Sequence, residues 1–262
     1  MKKNIIKYWQ NILKKNKLTK NFKITIITVT KNSEKYLEEN ILSIFNQTYK
    51  NYEHIIVDGD SKDQTKNIIL KHKDKISYSI SEPDEGLYFA MNKGIKKATG
   101  DIIGILNSDD VYYPDALKII NNYFSSDEKL DFLFGSVYKH KLMHGYYPNK
   151  IKWTFGFYTT HSVGFFIKTE AQKKIGLYDT QYSYSADYDL FYRMIVKFKL
   201  NGIATKKNEV LGKFRRGGLS SRIKYLDFLK ENNKIRLNNG QHFIFVYLIF
   251  ILRLIRNFTK IL

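Results

Sequence analysis

The chain of 262 residues contains no cysteine. That excludes disulfides, a thiolate nucleophile and any metal site built on sulfur, and it is compatible with a reducing compartment. Proline is scarce, at 3 residues, and no low-complexity tract or internal repeat is present. Acidic residues are in deficit: 25 Asp+Glu against 44 Lys+Arg leave a formal charge of +19. Such a surface attracts polyanions, whether nucleic acid, anionic lipid or phosphorylated small molecules. The excess accompanies a general richness in Lys, Asn and Ile, so charge alone does not choose among them. The N-terminal MKKNIIKYWQNILKKNK is basic but lacks the apolar core and small-residue cleavage site of a signal peptide, so no secretion is implied. What the chain does have is core-forming material, 43% hydrophobic and 15% aromatic, enough for one α/β domain with additions or two small domains.

Apolar runs and helical spacing alternate through the first half. KITIITVT, residues 23–30, is β-branched, the mark of a strand covered on both faces. Asn32 or Ser33 can cap the next segment, where Leu37, Ile41, Ile44 and Phe45 recur at helical spacing. EHIIVDGDS reads as a second strand, followed by a short helix over 63–71 and a strand near 76–80. EPDEGLYFAMNKGIKKATG reads as a loop, a helix and a glycine stop at Gly100. DIIGILN is another strand, and Pro114 opens a helix through Phe124. Strands alternating with helices predict βαβ units and a mainly parallel sheet, which receives ligands beyond the carboxyl ends of its strands. From about residue 131 the pattern turns irregular, with short, partly antiparallel strands, helices over 169–176 and 187–200, and a strand-like stretch reaching Phe214.

GILNSDDVYYP, residues 104–114, ends an apolar strand in adjacent carboxylates, an odd choice for so basic a chain. Asp58 and the cluster at 107–110 both fall at strand carboxyl ends, where this architecture places its ligand. Bland readings stay open beside that one. Asp109 and Asp110 suit the approach to the next helix, and residues 60–65 suit turn and cap chemistry.

ITIITVTKN, IIVDGDSKDQT, EPDEGLYFAMNKGIKKATGD, ILNSDD and SADYDLFYRM occur in the order and spacing of family 2 inverting glycosyltransferases of GT-A fold. The resemblance covers roughly 22–220 and is closest to bacterial enzymes that build surface polysaccharides such as lipopolysaccharide or capsule. It implies an α/β protein: a Rossmann-like nucleotide half over 22–115 with a mixed, mainly parallel sheet, and an acceptor half over 116–220. A basic amphipathic segment, 1–21, would precede it and a helical extension, 221–262, would follow. The implied reaction moves a hexosyl or N-acetylhexosaminyl group from a nucleotide sugar, expected to be a UDP-sugar, to a hydroxyl of a growing, lipid-linked glycan.

Asn107-Ser108-Asp109 matches the family's Asp-x-Asp metal motif with Asn in the first place. Asp109 is thus the expected ligand of Mg²⁺ or Mn²⁺, with Asp110 behind it. A cation bridging a diphosphate needs few protein ligands, because Mg²⁺ keeps waters and accepts one or two carboxylates. By resemblance Asp58 contacts the base and Thr28 and Thr30 line its pocket. Asp84, Gly86, Asn92, Lys93, Asn107 and Ser108 would flank the nucleotide and donor sugar, while Ala90 and Met91 read as core. Arg215 and Arg216 precede two glycines, where a loop can close over a diphosphate.

An acceptor hydroxyl must lose its proton as it attacks, and single displacement puts the base opposite the departing nucleotide. Asp187 resembles the second acid of the family's Glu-Asp motif, with Ala186 replacing Glu, and is the candidate base; an Asp also suits a helix N-cap. Asp189 reads as structural. His161 stands where the family often has a His, either touching acceptor or phosphate or satisfied in the core. His140 and His144 are spaced i,i+4 but lack a third metal ligand.

The closing HFIFVYLIFILRLIRNFTKIL is interrupted by Arg253 and Arg256, and its clean run is half of the ~20 residues a span requires. It reads as an interfacial helix on an anionic membrane, which with the resemblance implies a cytoplasmic protein peripheral at the inner face of the membrane. Packing on the protein's own core or a homodimer is the alternative. Two rivals to the enzyme reading remain: a nucleic-acid-binding protein, and a catalytically degenerate family member, given Asn107 and Ala186. Acids at the strand ends would repel a phosphate backbone and no RNA-binding aromatic signature occurs, so no nucleic-acid partner is expected.

Overall fold

The computed structural model describes residues 20–153, 157–215 and 224–257. Its strands are β1 (Ile24–Thr30), β2 (Tyr52–Asp58), β3 (Tyr78–Ser81), β4 (Ile102–Ile105), β5 (Val111–Tyr112), β6 (Phe132–Phe134), β7 (Ser136–Tyr138), β8 (Leu142–Met143), β9 (Phe165–Lys168), β10 (Gly202–Ala204) and β11 (Val210–Lys213). Its helices are α1 (Leu37–Phe45), α2 (Thr65–Lys71), α3 (Leu87–Lys97), α4 (Ala116–Ser126), α5 (Thr169–Ile175), α6 (Ala186–Tyr192), α7 (Tyr225–Asn238) and α8 (Phe243–Arg256).

The main sheet has seven strands in the order β10-β6-β9-β4-β1-β2-β3. All run parallel except β9, which is antiparallel to both β4 and β6. The mixed, mainly parallel sheet expected from the sequence is therefore present. Every residue of β1 is buried. Its pleat explains why: Ile24 and Ile26 enter one apolar layer with Leu117, Ile120 and Phe124 of α4, while Ile27 and Val29 enter the other with Met91 of α3. The aromatic run of β9 divides the same way, Phe165 to one layer and Phe166 to the other. Gly104 of β4 pairs with Phe166, and a Cβ there would stand 2.4 Å from the Phe166 ring. A smaller sheet, β5-β11-β7-β8, closes beside the carboxyl end of β4.

Two boundaries differ from the sequence reading. Helix α3 is not stopped by Gly100; it ends at Ala98, whose backbone turns extended (φ −60°, ψ 131°). Gly100 is needed for close approach instead, since a Cβ would lie 2.6 Å from Thr25 Oγ1. The helix expected over 187–200 is α-helical only to Tyr192 and continues as a π-helical turn over Arg193–Lys197. The N-terminal basic segment up to residue 19 lies outside the described residues.

Glu53 of β2 knots the opposite end of the sheet. It accepts from Thr25 Oγ1 (2.6 Å), Thr99 Oγ1 (2.6 Å), the Thr99 N–H (2.7 Å) and the Gly100 N–H (3.2 Å), and pairs with Lys23 (2.7 Å). Burial alone would raise its pKa, but the hydrogen bonds from Lys23, Thr25 and Thr99 outweigh it and hold the carboxyl at about 2. A depressed carboxyl gives stability that is complete above its ordinary value of 4.5 and fades as pH falls toward 2. Glu53→Gln is accordingly expected to cost about 2 kcal/mol near neutrality. In urea melts the gap to wild type should hold from pH 6 to about pH 5 and shrink from there toward pH 2.5; a gap that does not change with pH contradicts the assignment.

Candidate active site

The carboxyl ends of β1, β2, β3 and β4 come together, as parallel strands require. At the end of β2, Asp58 is fully buried. Its Oδ1 accepts from Ser61 Oγ, and its Oδ2 accepts from the Ser61 N–H (3.1 Å) and Ser81 Oγ (2.5 Å). Ser61 Oγ also receives the Asn32 N–H at 2.7 Å, so Ser61 and Asp58 lock the β1 and β2 turns to each other. Asp84 accepts the Gly86 N–H at 3.1 Å with one oxygen. The other hangs over Gly59, where a Cβ would stand 2.7 Å away. Gly86 adopts φ +146°, a conformation reserved for glycine, at the start of α3.

The turn after β4 is braced from several sides. The Asp110 N–H bonds the Asn107 carbonyl (2.9 Å), and Asn40 Nδ2 of α1 donates to the carbonyls of both Asn107 and Asp110 (2.9 Å each). Ser108 Oγ meets Ser33 Oγ at 2.8 Å. Asp110 is buried, its Oδ2 receiving Ser162 Oγ (2.6 Å) and its Oδ1 the Arg215 N–H (2.8 Å). Burial, then the neighbouring Asp109, push its pKa up to about 7. Asp109 is half-buried; burial raises its pKa, with its own backbone N–H and then Arg215 acting against the rise. Among the described residues Asn107 Oδ1 is buried without a partner, and so is Thr30 Oγ1 at the end of β1.

Asp187 lies in the first turn of α6, partly exposed. Its Oδ1 accepts from Tyr88 OH (3.3 Å) and the Tyr188 N–H (2.9 Å), and its Oδ2 from Tyr158 OH (3.2 Å). Burial, and then the Asp187 charge, hold both tyrosines well above 10, so their hydroxyls remain donors. His161 Nε2 contacts Tyr178 OH at 2.6 Å; burial lowers its pKa against the pull of Asp187.

One short segment, 158–163, joins the two carboxylate regions. Tyr158 bonds Asp187, Ser162 Oγ bonds Asp110 and receives the Asn107 N–H at 2.9 Å, and the Val163 N–H bonds the Ile105 carbonyl at 3.1 Å. Val163 holds φ +69°, strained for a β-branched residue.

Several expected site residues are used otherwise. The Thr28 hydroxyl is buried between Asn40 Oδ1 (3.2 Å) and His54 Nε2 (3.0 Å). Asn92 spends both ends of its amide on the Tyr178 backbone, at 2.9 and 3.0 Å. Lys93 pairs with Glu82 (2.8 Å) and the Pro83 carbonyl (3.2 Å) rather than standing free for a phosphate. Arg215 stacks on Tyr36, 4.5 Å from the ring centroid, and pairs with Glu39 at 2.5 Å, next to the acidic turn. Arg216 lies outside the described residues. Asp189 pairs with Arg193 (2.8 Å) and Asn239 (2.8 Å). Sequence reasoning missed Tyr88, Tyr158, Tyr178 and Ser162; nothing singles them out among 20 tyrosines and many serines.

Among the described residues no group of three or more His, Cys, Asp or Glu could hold a metal by itself. The acidic turn still fits a hard cation that keeps its waters. It offers one carboxylate, Asp109, that accepts its own N–H and no side-chain donor among the described residues, and one buried amide oxygen, Asn107 Oδ1, with no partner among them.

The sequence model described as glycosyl transferase family 2 matches residues 25–187, more than half of the chain. The chain belongs to that family. An uncharacterized glycosyltransferase of Rickettsia typhi is 34% identical over 187 residues, covering 66% of this chain and 58% of the relative. The chain thus spans under two thirds of that relative's length. An uncharacterized glycosyltransferase of Methanocaldococcus jannaschii is 29% identical over 243 residues, covering 84% and 81%. Among solved structures, S. aureus TarS 1-349 in complex with UDP-GlcNAc superposes with a TM-score of 0.65 at 18% identity, covering 90% of this chain and 73% of that one. A Pyrobaculum calidifontis mannosyltransferase in complex with GDP-Man and Mn²⁺ gives 0.59 at 16% identity, covering 90% and 70%. The fold is GT-A.

Removing the Ser162 hydroxyl tests the bracing. Ser162→Ala leaves Asp110 Oδ2 and the Asn107 N–H unpartnered and should cost about 2 kcal/mol in denaturant unfolding. A loss below about 0.5 kcal/mol, the scatter of ordinary surface changes, would contradict it.

Proposed function

We propose that the chain is an inverting glycosyltransferase that moves a hexosyl or N-acetylhexosaminyl group from a UDP-sugar to a hydroxyl of a growing, lipid-linked bacterial surface glycan. The observation that carries this is the 158–163 segment, which touches Asp187 with Tyr158 and the acidic turn with Ser162. On this reading the acid for proton transfer, Asp187, and the turn that serves diphosphate departure belong to one site, an assignment supported by their sharing this segment. Asp187 accepts the proton of the acceptor hydroxyl as that oxygen attacks the anomeric carbon from the side away from the nucleotide, inverting it. The Tyr88 and Tyr158 hydroxyls hold the carboxylate in place for that transfer. Asp109 and Asn107 Oδ1 would hold Mg²⁺ or Mn²⁺, which when bound offsets the charge of the departing diphosphate. Arg215 adds positive charge beside the same turn. Thr30 Oγ1, Asp84 and the Gly86 backbone line the donor side, and Asp58 accepts from the base once the Ser81 hydroxyl turns aside. The family match and the UDP and UDP-GlcNAc held by the TarS neighbours support the donor class.

Helix α8 supplies the reason for a lipid-linked acceptor. Phe243, Ile244, Tyr247, Leu248, Ile251, Leu252 and Ile255 are exposed, while Val246 and Ile249 face inward. No described helix is long and apolar enough to cross a membrane. An apolar face backed by Arg256, Lys230 and Lys234 on a chain of charge +19 suits the inner face of an anionic cytoplasmic membrane.

Asp187→Asn should slow UDP release from UDP-GlcNAc by about 10²-fold or more while calorimetric UDP affinity stays unchanged. Full activity in that variant removes the base assignment, and a wild type that binds donor without turnover marks a degenerate member. Leu252→Asp should abolish co-sedimentation with vesicles containing anionic phosphatidylglycerol. Undiminished co-sedimentation, or loss of a dimer instead, refutes the membrane reading.

A further inference from the structure

We propose that Glu231 of α7 is a positioning residue for Asp187, an inference that rests on reading Asp187 as the base. Glu231 reaches from outside the family-matched region, 25–187, and takes three successive backbone N–H groups immediately before α6. The Ser183 N–H reaches Oε2 at 2.8 Å, and those of Tyr184 and Ser185 reach Oε1 at 2.8 and 2.6 Å. A carboxylate on three amides is a strong, charge-assisted grip.

The grip is needed because the N-cap side chain does not secure the start of α6. Ser185 occupies the N-cap, but it makes no capping bond and its buried Oγ has no partner among the described residues. Asp187 itself takes one first-turn N–H, that of Tyr188, and a start held so lightly leaves the turn that carries Asp187 free to fray. Tyr88 OH, which donates to Asp187, also lies 3.2 Å from the Tyr184 carbonyl, so the same peptide run is pinned from the side of α3. One more α7 side chain and the residue just past its end extend the contact. Arg236 Nε bonds Tyr188 OH at 2.8 Å, and Asn239 Nδ2 bonds Asp189 Oδ1 at 2.8 Å. Helix α7 and its C-cap therefore hold residues 183, 184, 185, 188 and 189, and the side chain of Asp187 is held by the Tyr88 and Tyr158 hydroxyls and the Tyr188 N–H. A one-ångström displacement of a reacting group costs about 10²-fold in rate, which is the scale on which such a splint acts.

The test uses the full chain, UDP-GlcNAc as donor and water as acceptor. Glu231→Ala should lower kcat for UDP release by about 10²-fold, leave calorimetric UDP affinity unchanged, and speed hydrogen exchange of the amides at 183–185. Glu231→Gln keeps one acceptor oxygen and should fall between the two; it carries the test if the alanine variant does not fold. Wild-type kcat in either variant despite faster exchange overturns the proposal. So does a parallel loss of turnover and UDP affinity, which marks general damage to the fold. A wild type that releases no UDP overturns the reading of Asp187 and this inference with it, whereas active wild type with active variants counts against Glu231 alone.

Discussion

Ser162 has a single hydroxyl and uses both of its functions inside the protein, donating to the Asp110 carboxyl and accepting from the Asn107 N–H. Both partners belong to the turn that follows β4. A buried carboxyl without donors would cost several kcal/mol or give up its charge. Asp110 sits at that margin, with a pKa near 7 even with Ser162 and Arg215 donating to it. The segment carrying Ser162 is itself held against strain: Val163 keeps a left-handed backbone because its N–H is fixed to Ile105 and its side chain is packed in the core. Such strain costs on the order of 1–3 kcal/mol and persists only where surroundings over-determine it. The placement of Tyr158 through His161 follows from where this segment is anchored.

The charge distribution has a matching logic. A chain with 44 basic and 25 acidic residues concentrates carboxylates at the ends of β2 and β4 and on α6. An excess positive surface attracts phosphorylated ligands, and in the proposed reaction the local acids receive the cation and the proton. Tyr88, Tyr158 and Tyr178 complete this by keeping their protons near Asp187, so the carboxylate faces donors rather than competing anions.

The strand ends were legible in the sequence because period and hydrophobic runs locate strands, and parallel topology then brings their carboxyl ends together. Asp58 and the turn at 107–110 were placed at strand ends that way, and Asp84 and Asp187 were named as expected site residues through the family motifs. Which atom each residue spends on the fold was not legible. Thr28 and Thr30 lie on the same face of β1, yet the first is consumed by Asn40 and His54 while the second keeps a free hydroxyl. Asn92 stands inside a family motif, but its amide is complementary to the Tyr178 backbone 86 residues away. Gly100 looked like a helix stop because glycine commonly is one, whereas the contact that demands it is with Thr25 on another strand. Long-range contacts of this kind leave no periodic trace.

Helices α7 and α8 join the catalytic question to the surface question, since α7 grips the start of α6 and packs against the apolar α8. In the proposed reaction the acidic turn and Asp187 bound one donor–acceptor site. A crystal structure with UDP and Mn²⁺, read by the anomalous signal of manganese, tests this directly. The expected result is a manganese peak bonded to Asp109, with the diphosphate between it and Asp187. Manganese and nucleotide bound away from the β4 turn, or Asp187 screened from the diphosphate by protein, would contradict it.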